Sequence, residues 1–235
     1  MVKYLSISAF LGALCVCVLS EQGGFLQHRR TASRPKPSGG GASFPSGATH
    51  HWAFENNLND SIGSFTLTDN GLDSYPAGKH GQCVKIAAGG GNSVFTATDL
   101  PWSSAFTVSC WMQSDLAANP INLISEAFDI YIEYAPPSSV NGAPGNGLEL
   151  HGSGATANQW HVFVLVFDGG TGGKLSLDGG TYITGTVSSA AGNSGITFLG
   201  EATSTAFFDE STFWPRALTQ QEATDLWNGG SGLFP

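Results

Sequence analysis

Hydrophobic and polar positions along this chain alternate mostly with the two-residue period of β-strands. The segments 105–113 and 158–168 carry apolar side chains on both of their faces, which predicts two central strands buried on both sides. The segment 207–214 predicts a third long strand, because it is rich in aromatic residues and Thr. Pro215 marks its end, since strand interiors exclude proline. Shorter runs predict further strands at 50–56, 65–68, 121–125, 128–134, 174–177 and 196–199, and one ending at Ile86.

One short helix is predicted near the C-terminus. Thr219 is placed as its N-cap, and Glu222 three residues later completes a capping box. Leu218 precedes the cap and can pack on Ala223 as a hydrophobic staple. The glycine pair at 229–230 predicts where the helix ends.

The chain divides into three parts by composition. Residues 1–20 carry one Lys and then an apolar run, which predicts a secretory signal peptide cleaved after Ser20. An uncleaved hydrophobic anchor or a segment buried in an assembly are the alternatives. Residues 21–47 are rich in Gly, Ser, Pro and Arg and predict a linker, so the domain is expected to span 48–235.

Composition and charge narrow the fold and the partners. Charged residues make up 11% of the chain while it holds 32 Gly, which favours short strands joined by tight turns, as in a sandwich or barrel. From residue 48 onward there are 17 acidic and 4 basic residues, a formal charge of −13. Such an acidic domain argues against nucleic-acid binding and fits cation binding or solubility.

Several motifs, in the same order along the chain, resemble those of LamG-type, concanavalin A-like jelly-roll domains. The resemblance implies an all-β fold: a two-sheet antiparallel jelly-roll sandwich with one short C-terminal helix. The motifs are Trp-x-Phe followed by Asn-x-x-Asp-x-x-Gly at 52–63, Gly-Lys-x-Gly at 78–81, Phe-Thr-x-Ser-x-Trp at 106–111, a Trp-His strand and a following strand ending in Asp-Gly at 160–179, and Asp-Glu, an aromatic pair, Arg-Ala-Leu and a capped helix at 209–227.

The same resemblance implies a Ca²⁺ site. Asp209 matches the family's Asp in its Asp-Glu pair, and Asp60 matches the acid of the opening turn. Ca²⁺ takes six to eight oxygen ligands, so backbone carbonyls and water would complete the shell. The alternative makes Asp60 a turn former and Asp209 a buried acceptor for N–H groups. The histidines of the chain show no metal-ligand spacing, and His161 is expected to be structural.

Two of the four cysteines, Cys15 and Cys17, fall in the apolar leader. The other two, Cys83 and Cys110, lie in the predicted domain. In an exported protein this pair is compatible with a disulfide, and the alternative is two small buried side chains that never pair.

The ligand site is predicted on the strand 128–134. Asp129, Tyr131 and Glu133 share one face of that strand, with Tyr134 at its end, and the resemblance implies that this face lines a sugar-binding surface. Related glucanases carry an acidic triplet there. Here Tyr131 takes one acidic position and Glu126 falls outside the register, so no catalytic residues are predicted.

The sequence therefore predicts a non-enzymatic, extracellular, lectin-like recognition module. Its expected partner is a glycan or glycoprotein surface; nucleic acid and a stable membrane span after processing are not expected. A structural or adhesion protein of a viral particle or surface appendage is the alternative, and a glycoside hydrolase is the third.

Overall fold

The computed structural model describes the domain, while the predicted leader, most of the predicted linker and Asp129 lie outside the described residues. The described residues are 41–89, 92–96, 100–102, 104–115, 121–125, 131–135, 139–143, 145, 149–188, 194–200 and 204–235.

Within those residues the chain forms fifteen strands and one α-helix, and the strands build two antiparallel sheets. The all-β, two-sheet prediction with one short C-terminal helix is therefore confirmed. The elements are β1 (His50–Trp52), β2 (Thr68–Asn70), β3 (Leu72–Ser74), β4 (Val84–Ile86), β5 (Ser93–Phe95), β6 (Phe106–Ser114), β7 (Ile121–Ser125), β8 (Tyr131–Ala135), β9 (Ser139–Ala143), β10 (Leu150–Gly152), β11 (His161–Phe167), β12 (Gly172–Leu177), β13 (Ile183–Thr186), β14 (Ile196–Leu199), β15 (Ala206–Trp214) and α1 (Gln220–Trp227), followed by a 3₁₀ turn at Asn228–Gly230.

The two sheets interleave along the sequence. We call the larger sheet I, with the order β13-β12-β11-β6-β15-β4-β3 and β1 paired to β15. Sheet II has the order β10-β9-β8-β7-β14-β5-β2. Seven of the thirteen described strand pairings join strands that are not consecutive in sequence, so the register depends on contacts across the whole domain.

The main core lies between the sheets and is rich in aromatic rings. Trp102 packs edge-to-face on Phe106 with ring centroids 5.0 Å apart, and on Phe213 at 5.2 Å. From the sheet II side, Phe198 meets Phe208 at 5.3 Å. Edge-to-face contacts of this kind add to the free energy of apolar burial.

Sheet I is also covered on its other face. Trp111, Val162, Val164 and Val166 project away from the main core and form a second buried cluster with residues of α1 and its approach. This explains why β6 and β11 carry apolar side chains on both faces, as the sequence pattern predicts.

The helix begins as predicted. Thr219 accepts a hydrogen bond from the backbone N–H of Glu222, and the Glu222 side chain accepts from the Thr219 N–H, which completes the capping box. Leu218 and Ala223 are buried in the same cluster. The helix ends one residue before the glycine pair, at Asn228, which takes the left-handed conformation.

Two predicted elements are wrong in detail. The strand predicted at 65–68 is irregular, because Leu67 bonds its backbone to Leu58 and Phe65 accepts from the Trp52 indole; β2 starts only at Thr68. No strand is predicted between 134 and 158, yet β9 forms there and pairs with β8 and β10 on either side. Cross-strand pairing here overrides the low β-propensity of Ser, Asn and Gly.

The packed domain begins earlier than residue 48. Phe44 lies against the second buried cluster, 5.6 Å from the Trp214 ring, and the Pro45 carbonyl accepts from the Trp214 indole N–H. Arg216 donates to the carbonyl of Ser46. Residues 44–46, predicted as linker, are therefore part of the sandwich surface.

Among the described residues, no helix packs on the second face of sheet II, which we call its open face. Ile132 and Leu150 point into the main core, so the residues on either side of each point outward. Those described side chains are half-buried or exposed. No helix among the described residues has the length and apolar character to cross a membrane.

Candidate functional site

The open face of sheet II holds a row of polar and aromatic side chains, which we call the outer row: Tyr131, Glu133, Glu149 and His151. Tyr131 and Glu133 are two residues apart on β8 and flank the buried Ile132. Glu149 and His151 flank the buried Leu150 at β10 in the same way. Strand alternation therefore brings both pairs to one face.

The registers join the two halves of the outer row. Glu133 lies opposite Asn141 of β9, which in turn lies opposite His151 of β10. The outer row thus runs from β8 across β9 to β10. The carboxylate of Glu149 lies 3.9 Å from the Nε2 atom of His151.

Tyr131 is tied to the row by a hydrogen bond to Glu149. Partial burial, a hydrogen bond from its hydroxyl to Glu149, and the negative charges of Glu149 and Glu133 all raise the pKa of Tyr131 well above its ordinary value of 10. The phenol therefore stays neutral and keeps its proton for that hydrogen bond. The result is an aromatic ring with a fixed orientation among carboxylates.

A cleft of about 540 Å³ continues from the outer row at the edge of the sandwich. His151 and Ser153 line one wall, and the turn between β12 and β13 supplies the other, including Thr181. Leu177 and Ile183 add apolar surface. Its size and mixed lining suit a small polar ligand.

Asp178 shapes that turn. Its Oδ2 atom lies 2.7 Å from Nδ1 of His161, and its Oδ1 atom accepts from the Val162 N–H at 3.0 Å. Because Nε2 of His161 accepts from the Thr156 N–H at 3.1 Å, the imidazole carries its proton on Nδ1 and donates it to Asp178. His161 is thus structural, as the sequence predicts.

The structure describes the side chains of two of the four predicted ligand residues, Tyr131 and Glu133. Tyr131 and Glu133 do share one outward face. Asp129 lies outside the described residues, and Tyr134 is described as part of the β8 backbone. Their roles stay predictions.

Of the two predicted Ca²⁺ ligands, Asp60 organises the opening turn. Its carboxylate accepts from the N–H groups of His51 at 2.9 Å and Gly63 at 2.8 Å, and it lies 2.6 Å from Nδ1 of His50. Burial alone would raise the pKa of Asp60, but these hydrogen bonds hold it below its ordinary value. These oxygens are occupied by donors, which matches the turn-former alternative.

Asp209 is fully buried in β15. Its Oδ2 atom accepts from the His80 N–H at 3.0 Å, while Oδ1 has no hydrogen-bond partner among the described residues. Burial raises the pKa of Asp209 to about 8, opposed by the His80 N–H and assisted by the neighbouring charge of Glu210. The Ca²⁺ expectation therefore stays a prediction that rests on Asp209.

A β-bulge follows Asp209 and turns the next side chain outward from the core. The pairing of β15 with β6 shifts register between Asp209 and Thr212, and Glu210 has a φ of 50°. Glu210 lies beside His51, His80 and Glu55, and we call these four residues the bulge cluster. The Nδ1 atom of His80 lies 3.0 Å from Oε1 of Glu210.

The structure contradicts the possible disulfide between Cys83 and Cys110. Cys83 and Cys110 are both buried free thiols. β15 lies between β4, which follows Cys83, and β6, which carries Cys110. Two strand spacings separate them by roughly 10 Å, whereas a disulfide requires Cα atoms within about 7 Å. The alternative of two small buried side chains holds.

Sequence reasoning missed half of the outer row and all of the bulge cluster. The alternation of Glu149 and His151 around Leu150 is a signal that could have predicted their shared face. The bulge cluster joins residues up to 159 positions apart, from His51 to Glu210. No local motif could have predicted that these residues lie together.

Comparison with known proteins identifies the family to which this fold is similar. A family model described as the concanavalin A-like lectin/glucanases superfamily matches residues 88–224. No curated protein sequence matches the chain significantly.

Solved structures similar to this chain include toxin binding domains. The binding domain of Paraclostridial Mosquitocidal Protein 1 aligns with a TM-score of 0.66 and 14% identity, over 78% of this chain and 52% of that one. The binding domain of Botulinum Neurotoxin DC in complex with SialylT gives 0.60 and 13%, over 78% and 51%. The chain thus spans about half of these structures, and such low identity establishes the fold alone.

Proposed function

This chain belongs to the concanavalin A-like lectin/glucanase superfamily, and we propose that it is a non-enzymatic module that binds carbohydrate at the outer row and the adjoining cleft. The observation that carries the proposal is the placement of Tyr131. Its ring lies half-buried on the open face of sheet II, with carboxylates beside it. Fold alone does not assign a ligand, whereas the residues of this site do indicate one.

The outer row offers the two kinds of contact that sugars need. A Tyr ring provides an apolar surface for the C–H face of a pyranose, and its hydrogen bond to Glu149 limits its rotation. Glu133 and His151 provide groups for sugar hydroxyls on the same face. A preorganised ring costs less conformational entropy on binding than a free one.

The extent of the site favours an oligosaccharide. The outer row crosses from β8 to β10, roughly 10 Å at two strand spacings, and the cleft of about 540 Å³ continues beyond it. A single sugar would occupy one part of this surface. A chain of several sugars would contact both parts.

The charge of the site favours neutral glycans. Glu133 and Glu149 lie beside Tyr131, so a sialylated or sulfated sugar would bring a second negative charge next to them. Among the similar toxins, the binding domain of Botulinum Neurotoxin DC is in complex with SialylT, and cell entry of botulinum neurotoxin type C depends on interaction with two ganglioside molecules. We propose that this chain differs from those proteins by preferring uncharged oligosaccharides.

Hydrolysis is not part of the proposal. Glycosidases need two carboxyl groups on either side of the scissile bond. Here the Tyr131 ring stands at the centre of the row, and Glu149 is engaged by its hydroxyl. Reducing-sugar release from a β-glucan panel would contradict the binding-only function.

The test is a glycan array followed by titration calorimetry with the best neutral oligosaccharide. Tyr131→Ala should weaken binding at least about tenfold, or ~1.4 kcal/mol, through loss of the stacking surface. Glu149→Gln should weaken it less. The matched control is Asp225→Asn, on the helix that covers sheet I, which should bind like the parent chain. Tyr131→Ala that stays folded and binds normally would refute the site.

We propose that the module acts outside the cell or at a surface. The apolar run in residues 1–20 supports export. The mass of the mature N-terminus tests this: a chain starting at Glu21 is expected, and an intact Met1 in the secreted fraction would contradict cleavage.

A further inference from the structure

The bulge cluster lies on the sheet I side of the domain, apart from the outer row. Glu55 and His80 are exposed, whereas Glu210 is 4% exposed. One ligand-type atom from each of these three residues lies within 4.8 Å of the other two. A cavity of about 190 Å³ opens in front of them, which leaves room for an ion and water.

The backbone shapes a cradle for these groups. A Cβ at Gly81 would collide with the Glu55 carboxylate, so only glycine allows that carboxylate to lie there. The Gln82 N–H donates to Oε2 of Glu55 at 3.1 Å and orients it. On the other side, the His80 ring stacks on Phe234 with centroids 4.5 Å apart.

The buried carboxylate of Glu210 lacks a full set of donors. Its Oε2 atom forms no hydrogen bond among the described residues, although Nε2 of His51 lies 3.0 Å away. Nδ1 of His80 lies 3.0 Å from the Oε1 atom of Glu210. Among the described residues, the ion-pair partners of Glu210 are therefore two imidazoles, and no Lys or Arg pairs with it.

A buried carboxylate needs a positive charge nearby, and no permanently charged side chain among the described residues pairs with Glu210. A cation held by Glu210 would supply that charge. We propose that Glu55, His80 and Glu210 bind one divalent transition-metal ion of the Zn²⁺ class, with water completing the coordination. The ion would replace the contact between His80 and Glu210 by bonds from each residue to the metal.

The donor set selects the class of metal. An imidazole nitrogen with two carboxylates is typical of Zn²⁺ and its neighbours, while Ca²⁺ prefers an all-oxygen shell. Tetrahedral bonds of about 2.1 Å set ligand atoms roughly 3.4 Å apart, so the ligand atoms, now within 4.8 Å of one another and only 3.0 Å apart between His80 and Glu210, must shift slightly. The exposed side chains of Glu55 and His80 can make that movement.

The experiment is calorimetric titration of ZnCl₂ into the chelator-treated full chain, with Co²⁺ absorption as a second readout. We expect one site of near-unit stoichiometry that His80→Ala and Glu55→Gln each weaken at least about 100-fold, since even outer-shell changes cost 10–100-fold. Both side chains are exposed, so these variants should fold; near-UV circular dichroism checks this.

The matched control is His151→Ala, which removes an exposed His that also lies near a carboxylate. It should leave Zn²⁺ affinity unchanged. Calcium chloride in place of zinc should give no heat that depends on His80. Zn²⁺ binding that survives both His80→Ala and Glu55→Gln, or no Zn²⁺ binding at all, would overturn the site. Neither result would bear on carbohydrate binding at the outer row.

Discussion

Trp227 provides a sharp test of how the C-terminal helix is attached to the sandwich. Its ring stacks on Trp111 with centroids 5.5 Å apart and an angle of 25° between the planes. Trp111 is 2% exposed and has the Lys79 ammonium 4.5 Å from its ring centroid. Trp227→Ala would therefore remove the contact that covers one of the largest side chains on the outer face of sheet I.

The expected loss follows from partial burial. A fully buried Trp→Ala change costs about 3–5 kcal/mol. Trp227 is only partly buried, so the transfer and cavity contributions are smaller, but the loss of a stacked aromatic pair adds about 0.5–1.5 kcal/mol. We expect Trp227→Ala to lower the free energy of unfolding by about 2–3 kcal/mol.

Two matched variants on the same helix set the scale. Leu226 is 3% exposed, so Leu226→Ala should cost at least as much, within about 2–5 kcal/mol. Thr219→Ala removes a cap and should cost about 1 kcal/mol. Urea unfolding followed by far-UV circular dichroism avoids the fluorescence lost with the indole. The reasoning fails if Trp227→Ala unfolds like the parent chain or costs no more than Thr219→Ala.

Two further predictions concern ionisation and thiols. Hydrogen bonds from Arg216 hold the pKa of Glu222 to about 2, below its ordinary 4.5, so this pairing stabilises the fold above about pH 4.5 and is lost as the pH falls toward 2. Glu222→Gln should therefore be less stable than the parent at pH 7, with the gap narrowing at pH 3; a constant gap in urea unfolding would contradict this. Cys83 and Cys110 should both be alkylated after unfolding without reductant, yet react slowly in the native state because burial raises the pKa of Cys83 to about 12 and that of Cys110 further. A cross-linked peptide containing both would disprove the free-thiol assignment.

Local features of the sequence determined the elements with well-defined signals. The capping box of Thr219 and Glu222 depends on atoms within one helical turn, so it could be predicted without knowing the fold. The two-sided apolar pattern of β6 and β11 likewise predicted central strands, because alternation is a property of the strand itself. The order of motifs then indicated the sandwich.

The candidate sites depended on tertiary structure to different degrees. Tyr131 and Glu133 could be placed on one face by alternation, but Glu149 joins them only through the pairing of β8, β9 and β10. In the part of the chain that the structure describes, no helix covers this face, because α1 packs on sheet I instead. Neither fact can be predicted from the sequence of the strand 128–134 alone.

The bulge cluster and the cysteines were decided entirely by the sheet order. A register shift after Asp209 turns Glu210 toward His51 and His80, and the same strand, β15, separates Cys83 from Cys110. Sequence patterns report which side of a strand a residue occupies within a few positions. The neighbours across strands are set by how the whole chain closes its two sheets, because that closure buries the most apolar surface at once.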